Sequence, residues 1–173
     1  LTGTIKYSTN ACLIDAQIVT DWTMTGVVVD GNYTAYTVGP TSDVPWGVRM
    51  EQCVNCEVSG NHFKNLYRIG VSVGHVSAVA CTAIRVHDNL IENIGHATDP
   101  VVGLGNGIAV IVGDGVSIKN NTVRNITGNT TATAGINIEP SLGTHTCANI
   151  EVAGNRVSGI TDAHGIQCYE AFV

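Results

Sequence analysis

Three side chains near the C-terminal end have the right types for acid–base work: Glu139, Asp162 and His164. Glu139 lies in the segment Gly135-Ile-Asn-Ile-Glu-Pro140, and Asp162 and His164 stand just before Gly165. Glycoside hydrolysis needs two carboxylates roughly 5–9.5 Å apart. Glu139 and Asp162 are the pair expected to meet that requirement. Proton abstraction beside a carboxylate would instead use a base, an acid and a cation. Candidate substrate contacts are Arg49, Asn137, Gln167 and Tyr169, with the rings of Trp46 and Tyr36 available to stack on a sugar face. Asp99 and His96, on a long insertion, are further candidates, whereas His75, His87 and His145 are scattered.

These residues must be positioned by a repeat. Cys56-Glu-Val-Ser-Gly-Asn-His-Phe-Lys-Asn-Leu66 recurs as Ile84 to Ile94, Val116 to Ile126 and Ile150 to Ile160. A degenerate copy begins at Val27. The fixed Asn falls at Asn32, Asn61, Asn89, Asn121 and Asn155, with steps of 29, 28, 32 and 34 residues. A second unit, Gly-apolar-any-apolar, keeps register with the first at Gly47, Gly70, Gly107, Gly135 and Gly165. Alternation over three to five positions is strand periodicity with one face buried. No window carries a helical apolar stripe. A cycle near 30 residues built of short strands is one rung of a solenoid.

Period two then places Arg49, Ser72, Ala109, Asn137 and Gln167 in one outward column. The next outward column is Glu51, Gly74, Ile111, Glu139 and Tyr169. The two form a strip along which a linear glycan could lie. The alternative is that outward strand residues are polar because water is there. The fixed Asn is expected at a tight bend, in the left-handed conformation. Its side chain is expected to hydrogen-bond up and down a ladder at the ~4.8 Å rung spacing.

The rungs resemble the right-handed parallel β-helix repeat of the pectate-lyase-like superfamily, over residues 22 to 170. The resemblance implies an all-β, single-stranded right-handed parallel β-helix of about five to six rungs with almost no helix. Residues 1–173 would form one domain, with an irregular lead-in over 1–21. Gly135-Ile-Asn-Ile-Glu-Pro140 is similar to a Gly-Ile-Asp-Ile-Glu-Pro segment of carbohydrate-active β-helix proteins, with Asn137 in place of the Asp. The calcium-binding Asp clusters of pectate lyases and the signatures of polygalacturonases are missing, so no cofactor and no metal is expected.

The implied function is an extracellular polysaccharide-binding and polysaccharide-degrading module, on a phage tailspike or a secreted bacterial enzyme. The expected assembly is a homotrimer. The alternative is a non-catalytic structural shaft or adhesin. The net charge of −6 argues against a nucleic-acid partner, which calls for a basic stripe. No run of 18 apolar residues exists, so membrane insertion is not expected. The chain starts at Leu1 and stops just after a first strand, so a cap or further rungs are expected beyond it.

Six cysteines remain. Cys53, Cys81 and Cys147 each precede a ladder Asn by eight residues, with Gly113 in that place in the intervening rung. They are expected to be buried free thiols acting as small hydrophobes. Cys53 and Cys81, on neighbouring rungs, are also placed for a disulfide.

Overall fold

A computed structural model describes residues 3–6, 12–32, 46–75, 79–95, 105–128, 133–140, 145–162 and 164–168. Every element among them is a β-strand or a turn, and all strand pairing is parallel. β1 (Gly3–Lys6) precedes a first level of β2 (Ile14–Gln17), β3 (Thr23–Thr25) and β4 (Val27–Asp30). The second level is β5 (Val48–Glu51), β6 (Glu57–Ser59) and β7 (His62–Leu66). The third is β8 (Ile69–Val73), β9 (Cys81–Thr82), β10 (Arg85–His87) and β11 (Leu90–Ile94). The fourth is β12 (Asn106–Val110), β13 (Gly113–Asp114), β14 (Ser117–Lys119) and β15 (Thr122–Thr127). The fifth is β16 (Ala134–Ile138), β17 (Cys147–Ala148), β18 (Glu151–Ala153) and β19 (Arg156–Thr161), after which β20 (His164–Cys168) opens the next.

The fold is therefore the expected all-β parallel β-helix. It has about four turns, slightly fewer than the five to six expected. Partial turns at both ends extend two of its sheets to six strands. The first-strand sheet runs β2-β5-β8-β12-β16-β20, and the third-strand sheet runs β1-β4-β7-β11-β15-β19. Between them lie β3-β6-β10-β14-β18 and a short sheet, β9-β13-β17, that gives the cross-section a fourth side. The fourth side is the cysteine column, which isolated bridges carry down through Val54 to Thr20. Strands β1 and β2 join their sheets in register, so the segment read as an irregular lead-in already belongs to the stack.

The interior is aliphatic. Val48, Met50, Val71, Val73, Ile108 and Val110 line it from the first strands, and Phe63, Ile91 and Val123 from the third. The third strands break strict alternation. Phe63 and Leu66, three residues apart, are both fully buried, as are Ile91 and Ile94. The cause is a left-handed residue between them: Asn65, Asn93 and Asn125 have φ of 52°, 56° and 56°. This kink turns two successive apolar side chains inward.

The ladder is present, with two corrections. Asn61, Asn89 and Asn121 are at most 3 % exposed. Each donates from Nδ2 to Oδ1 of the ladder Asn one level on, at 3.0, 2.9 and 2.9 Å, ending on Asn155. Each backbone N–H donates to the same oxygen. The left-handed conformation falls on the residue before the Asn, at Gly60, Asp88, Asn120 and Gly154. A ladder Asn has to aim its amide along the stack, so the reversal is left to its neighbour. Asn32 lies outside the ladder. Val27 holds the first-level place, its N–H donating to Asn61 Oδ1 at 3.0 Å.

Candidate functional site

The fixed Gly of each first strand determines which side chains reach the outer face. A Cβ on Gly70, Gly107 or Gly135 would lie 2.5, 2.5 or 2.6 Å from the carbonyl oxygen of the same Gly one level on, and would also strike the core. This position therefore turns inward. The residue before it turns outward, so Trp46, Ile69, Asn106, Ala134 and His164 form an outer column that strict alternation does not reveal. The second outer column follows register as expected: Arg49, Ser72, Ala109, Asn137 and Gln167, preceded by Asp15.

That second column is not an open, water-facing strip. Ser72, Ala109 and Asn137 are 0–2 % exposed. Trp46 and Ile69 pack on Ala109 in a small apolar cluster outside the main core, with Cys12 and Ile111 against it. The cluster closes over the centre of the column and leaves a cavity of about 230 Å³ beside it. Trp46, Ile69, Ala109, Val110 and Ile111 form its apolar wall. Arg68, His75, Asn106, Asn137 and Glu139 provide its polar groups.

Several contacts fix this geometry. Asn137 Nδ2 donates to Glu139 Oε2 at 2.8 Å, so the amide orients the carboxylate. Asn106 Oδ1 accepts the Ala134 N–H at 2.9 Å. The His75 ring meets the edge of Trp46 at 4.5 Å and 87°. On the other side, the Arg49 guanidinium lies over the Trp46 ring, 5.9 Å from its centroid. Asp15 clamps Arg49 through Nε at 3.0 Å and a terminal nitrogen at 2.6 Å.

The Arg49 hydrogen bond holds the Asp15 carboxyl below its usual pKa, against the opposing effect of burial. A lowered folded-state pKa means the clamp contributes fully above the ordinary Asp range and is lost as pH falls through the depressed value. In a Trp22→Phe background, Trp46 emission is expected to show an acid step below the ordinary Asp pKa of about 3.9. Asp15→Asn should abolish that step. An unchanged step in Asp15→Asn would assign it elsewhere.

The structure brings Trp46, Asn137 and Glu139 to one cavity. Arg49 is one layer back, supporting Trp46 rather than lining the cavity. Gln167 is half-buried one level above Asn137, and His164 is exposed one level above Ala134. Asp162 does not line the cavity. It is exposed, with φ of 52°, at the corner before β20. Register sets His164 opposite Ala134, whereas Glu139 lies five positions further along, roughly 16 Å at strand rise. Asp162 precedes His164 by two more positions, so the two carboxylates stand at opposite ends of the sheet, not 5–9.5 Å apart. Tyr36, Tyr169, His96 and Asp99 lie outside the described residues.

Arg68 and Asn106 were missed, and His75 had been set aside as scattered. Asn106 was legible, since it precedes Gly107 as Trp46 precedes Gly47. Arg68 lies at the short corner between β7 and β8, where only Tyr67 and Arg68 separate two strands. Among the described residues, no three His, Cys, Asp or Glu side chains are grouped to hold a metal ion. No described helix is long and apolar enough to cross a membrane.

No protein-family model, curated protein or solved structure matches the chain.

Proposed function

We propose that this β-helix is an extracellular polysaccharide-binding module whose cavity on the outer face of the first-strand sheet takes one acidic sugar of a longer glycan. The observation that carries the reading is the composition of that cavity: one indole ring, one guanidinium, one imidazole, two amides and one carboxylate around an apolar wall. Such walls with a few convergent polar groups are typical of small-ligand sites. Trp46 and Ile111 would cover the apolar sugar face. Arg68 would receive the sugar carboxylate, and Asn106 and Asn137 its hydroxyls.

Among the described residues, Glu139 is the one carboxylate on the cavity wall, and no second carboxylate stands beside it for two-carboxylate hydrolysis. One carboxylate, one imidazole and one guanidinium suit proton abstraction beside a uronate carboxylate, which is lyase chemistry. The setting of this reading is a secreted enzyme or a virion tailspike of the pectate-lyase-like type, working as a trimer. The second reading, a non-catalytic shaft or adhesin, draws on the near-complete burial of Ser72, Ala109 and Asn137.

The test is calorimetric titration with bacterial capsular and uronate oligosaccharides, alongside absorbance at the unsaturated-uronate band. Trp46→Ala is expected to weaken binding about 10- to 100-fold, in line with stacking worth ~1–3 kcal/mol. Arg68→Gln should remove the preference for acidic over neutral glycans, with unfolding curves run in parallel to confirm folding. Glu139→Gln should keep binding and abolish any absorbance rise. Absence of binding across the panel, by folded protein, would overturn the reading in favour of the shaft.

A further inference from the structure

The cysteine column holds an arrangement that glycan binding does not use. Thr82 N–H donates to the Cys53 carbonyl at 2.9 Å, and Val54 bridges Thr82 in parallel. Cys53 therefore faces Cys81 one strand spacing away. At ~4.8 Å between neighbouring strands, the two Cα atoms fall inside the ~4.4–6.8 Å window of disulfides. Both side chains are fully buried on the same inward face. Cys81 Sγ accepts the Cys53 N–H at 3.4 Å, while the two thiols donate to main-chain carbonyls, Cys53 to Ala16 at 3.3 Å and Cys81 to Met50 at 3.5 Å.

We propose that Cys53 and Cys81 are a modification site: an inter-rung disulfide that forms when the chain folds in the presence of a disulfide oxidant. The Cys81 thiolate attacks one sulfur of the oxidant RSSR, forming a Cys81–SR mixed disulfide and releasing RS⁻. The Cys53 thiol gives up its proton, which RS⁻ takes, and the Cys53 sulfur then attacks Cys81 Sγ. The second RS⁻ leaves and takes a proton from solvent. In balance, two protein thiols and RSSR give one protein disulfide and two RSH.

The direction of attack follows the local charge preferences. The neighbouring Cys53 side chain lowers the Cys81 pKa to about 7 against the effect of burial. Cys53 is raised in turn, first by the Cys81 side chain and then by burial. Cys56 is the competing partner, in Cys53-Val-Asn-Cys56. Burial raises its pKa, and its thiol donates to the Val54 and Val19 carbonyls at 3.3 and 3.5 Å. It is the weaker attacking group. Further along the column, Cys147 faces Gly113, which offers no sulfur.

Closure while the second and third levels are already paired but the core is still open to solvent lets the two sulfurs meet an oxidant with that local pairing in place. The bond would tie the second level to the third across 28 residues of chain. The full chain is refolded in oxidised glutathione, alkylated, weighed intact and mapped by proteolysis. The expected result is loss of two hydrogen atoms and a linked Cys53–Cys81 peptide pair. The pair should persist in Cys56→Ser and vanish in Cys81→Ser. Recovery of all six alkylated thiols, or linkage of Cys53 to Cys56 instead, would overturn the proposal.

Discussion

Asn121→Ala is expected to lower stability by about 3–5 kcal/mol, the range for opening a buried hydrogen-bond network. Asn121 Nδ2 donates to the Val86 carbonyl and to Asn155 Oδ1, both at 2.9 Å. Its Oδ1 accepts the backbone N–H and Nδ2 of Asn89, at 3.1 and 2.9 Å. Truncation removes all four bonds at a residue only 1 % exposed, where water cannot replace them. For a chain of this size the thermal midpoint should fall by about 10 °C or more. Asn155→Ala is the comparison, because Asn155 ends the ladder half-buried and loses fewer partners. A loss at Asn121 no larger than that at Asn155 would show that the ladder is not a continuous stabilising network. Equilibrium unfolding in urea reads both variants.

Gly107→Ala is expected to destabilise by about 3 kcal/mol or more, at the upper end of overpacking costs. The added Cβ would lie 2.5 Å from the Gly135 carbonyl oxygen and closer still to Val123 Cγ1. Neither neighbour can retreat. The carbonyl belongs to the adjacent first strand, and Val123 is fully buried against the opposite sheet. Gly165→Ala supplies an internal control in the same repeat position. Its Cβ would meet nothing within 4 Å, so stability should be unchanged or slightly raised. Equal effects at Gly107 and Gly165 would rule out carbonyl approach as the reason for glycine. The expected contrast also bears on the cavity, because the inward turn at Gly107 is what sends Asn106 outward.

Much of this architecture was readable because a β-helix is quasi-one-dimensional. Each residue type recurs about every 30 positions and meets its own copy one level away, so periodicity reports contacts directly. The recurring Gly, the ladder Asn from Asn61 to Asn155 and the outward column from Arg49 to Gln167 were legible for that reason. Asn65, Asn93 and Asn125 were equally periodic and were passed over. They form a second, outer ladder through Nδ2 to Oδ1 bonds of 3.2 and 3.1 Å. Alternation does not single out their place, because no inward side chain stands there.

The candidate site was less legible. Glu139 and Asn137 could be placed on one strand from alternation alone, but Asp162 could not be placed relative to Glu139. Sequence spacing shows which rung a residue belongs to. It does not show how far along the sheet a corner residue falls, since that depends on where each strand begins. The burial of Ser72, Ala109 and Asn137 was also unforeseen, and at Ala109 it comes from Trp46 and Ile69 packing on the sheet's outer face.

The division follows from the range of the forces. Repetition along the chain, alternation toward an aliphatic interior and turn chemistry at each corner are local. They were sufficient to indicate a solenoid of short strands with one Asn ladder. The cavity of Trp46, Arg68, His75, Asn106, Asn137 and Glu139 is assembled from four levels, through side chains whose directions depend on a kinked glycine position and a short corner. Such contacts carry no period of their own. They came into view only once the levels were stacked, because each depends on which neighbour lies above or below.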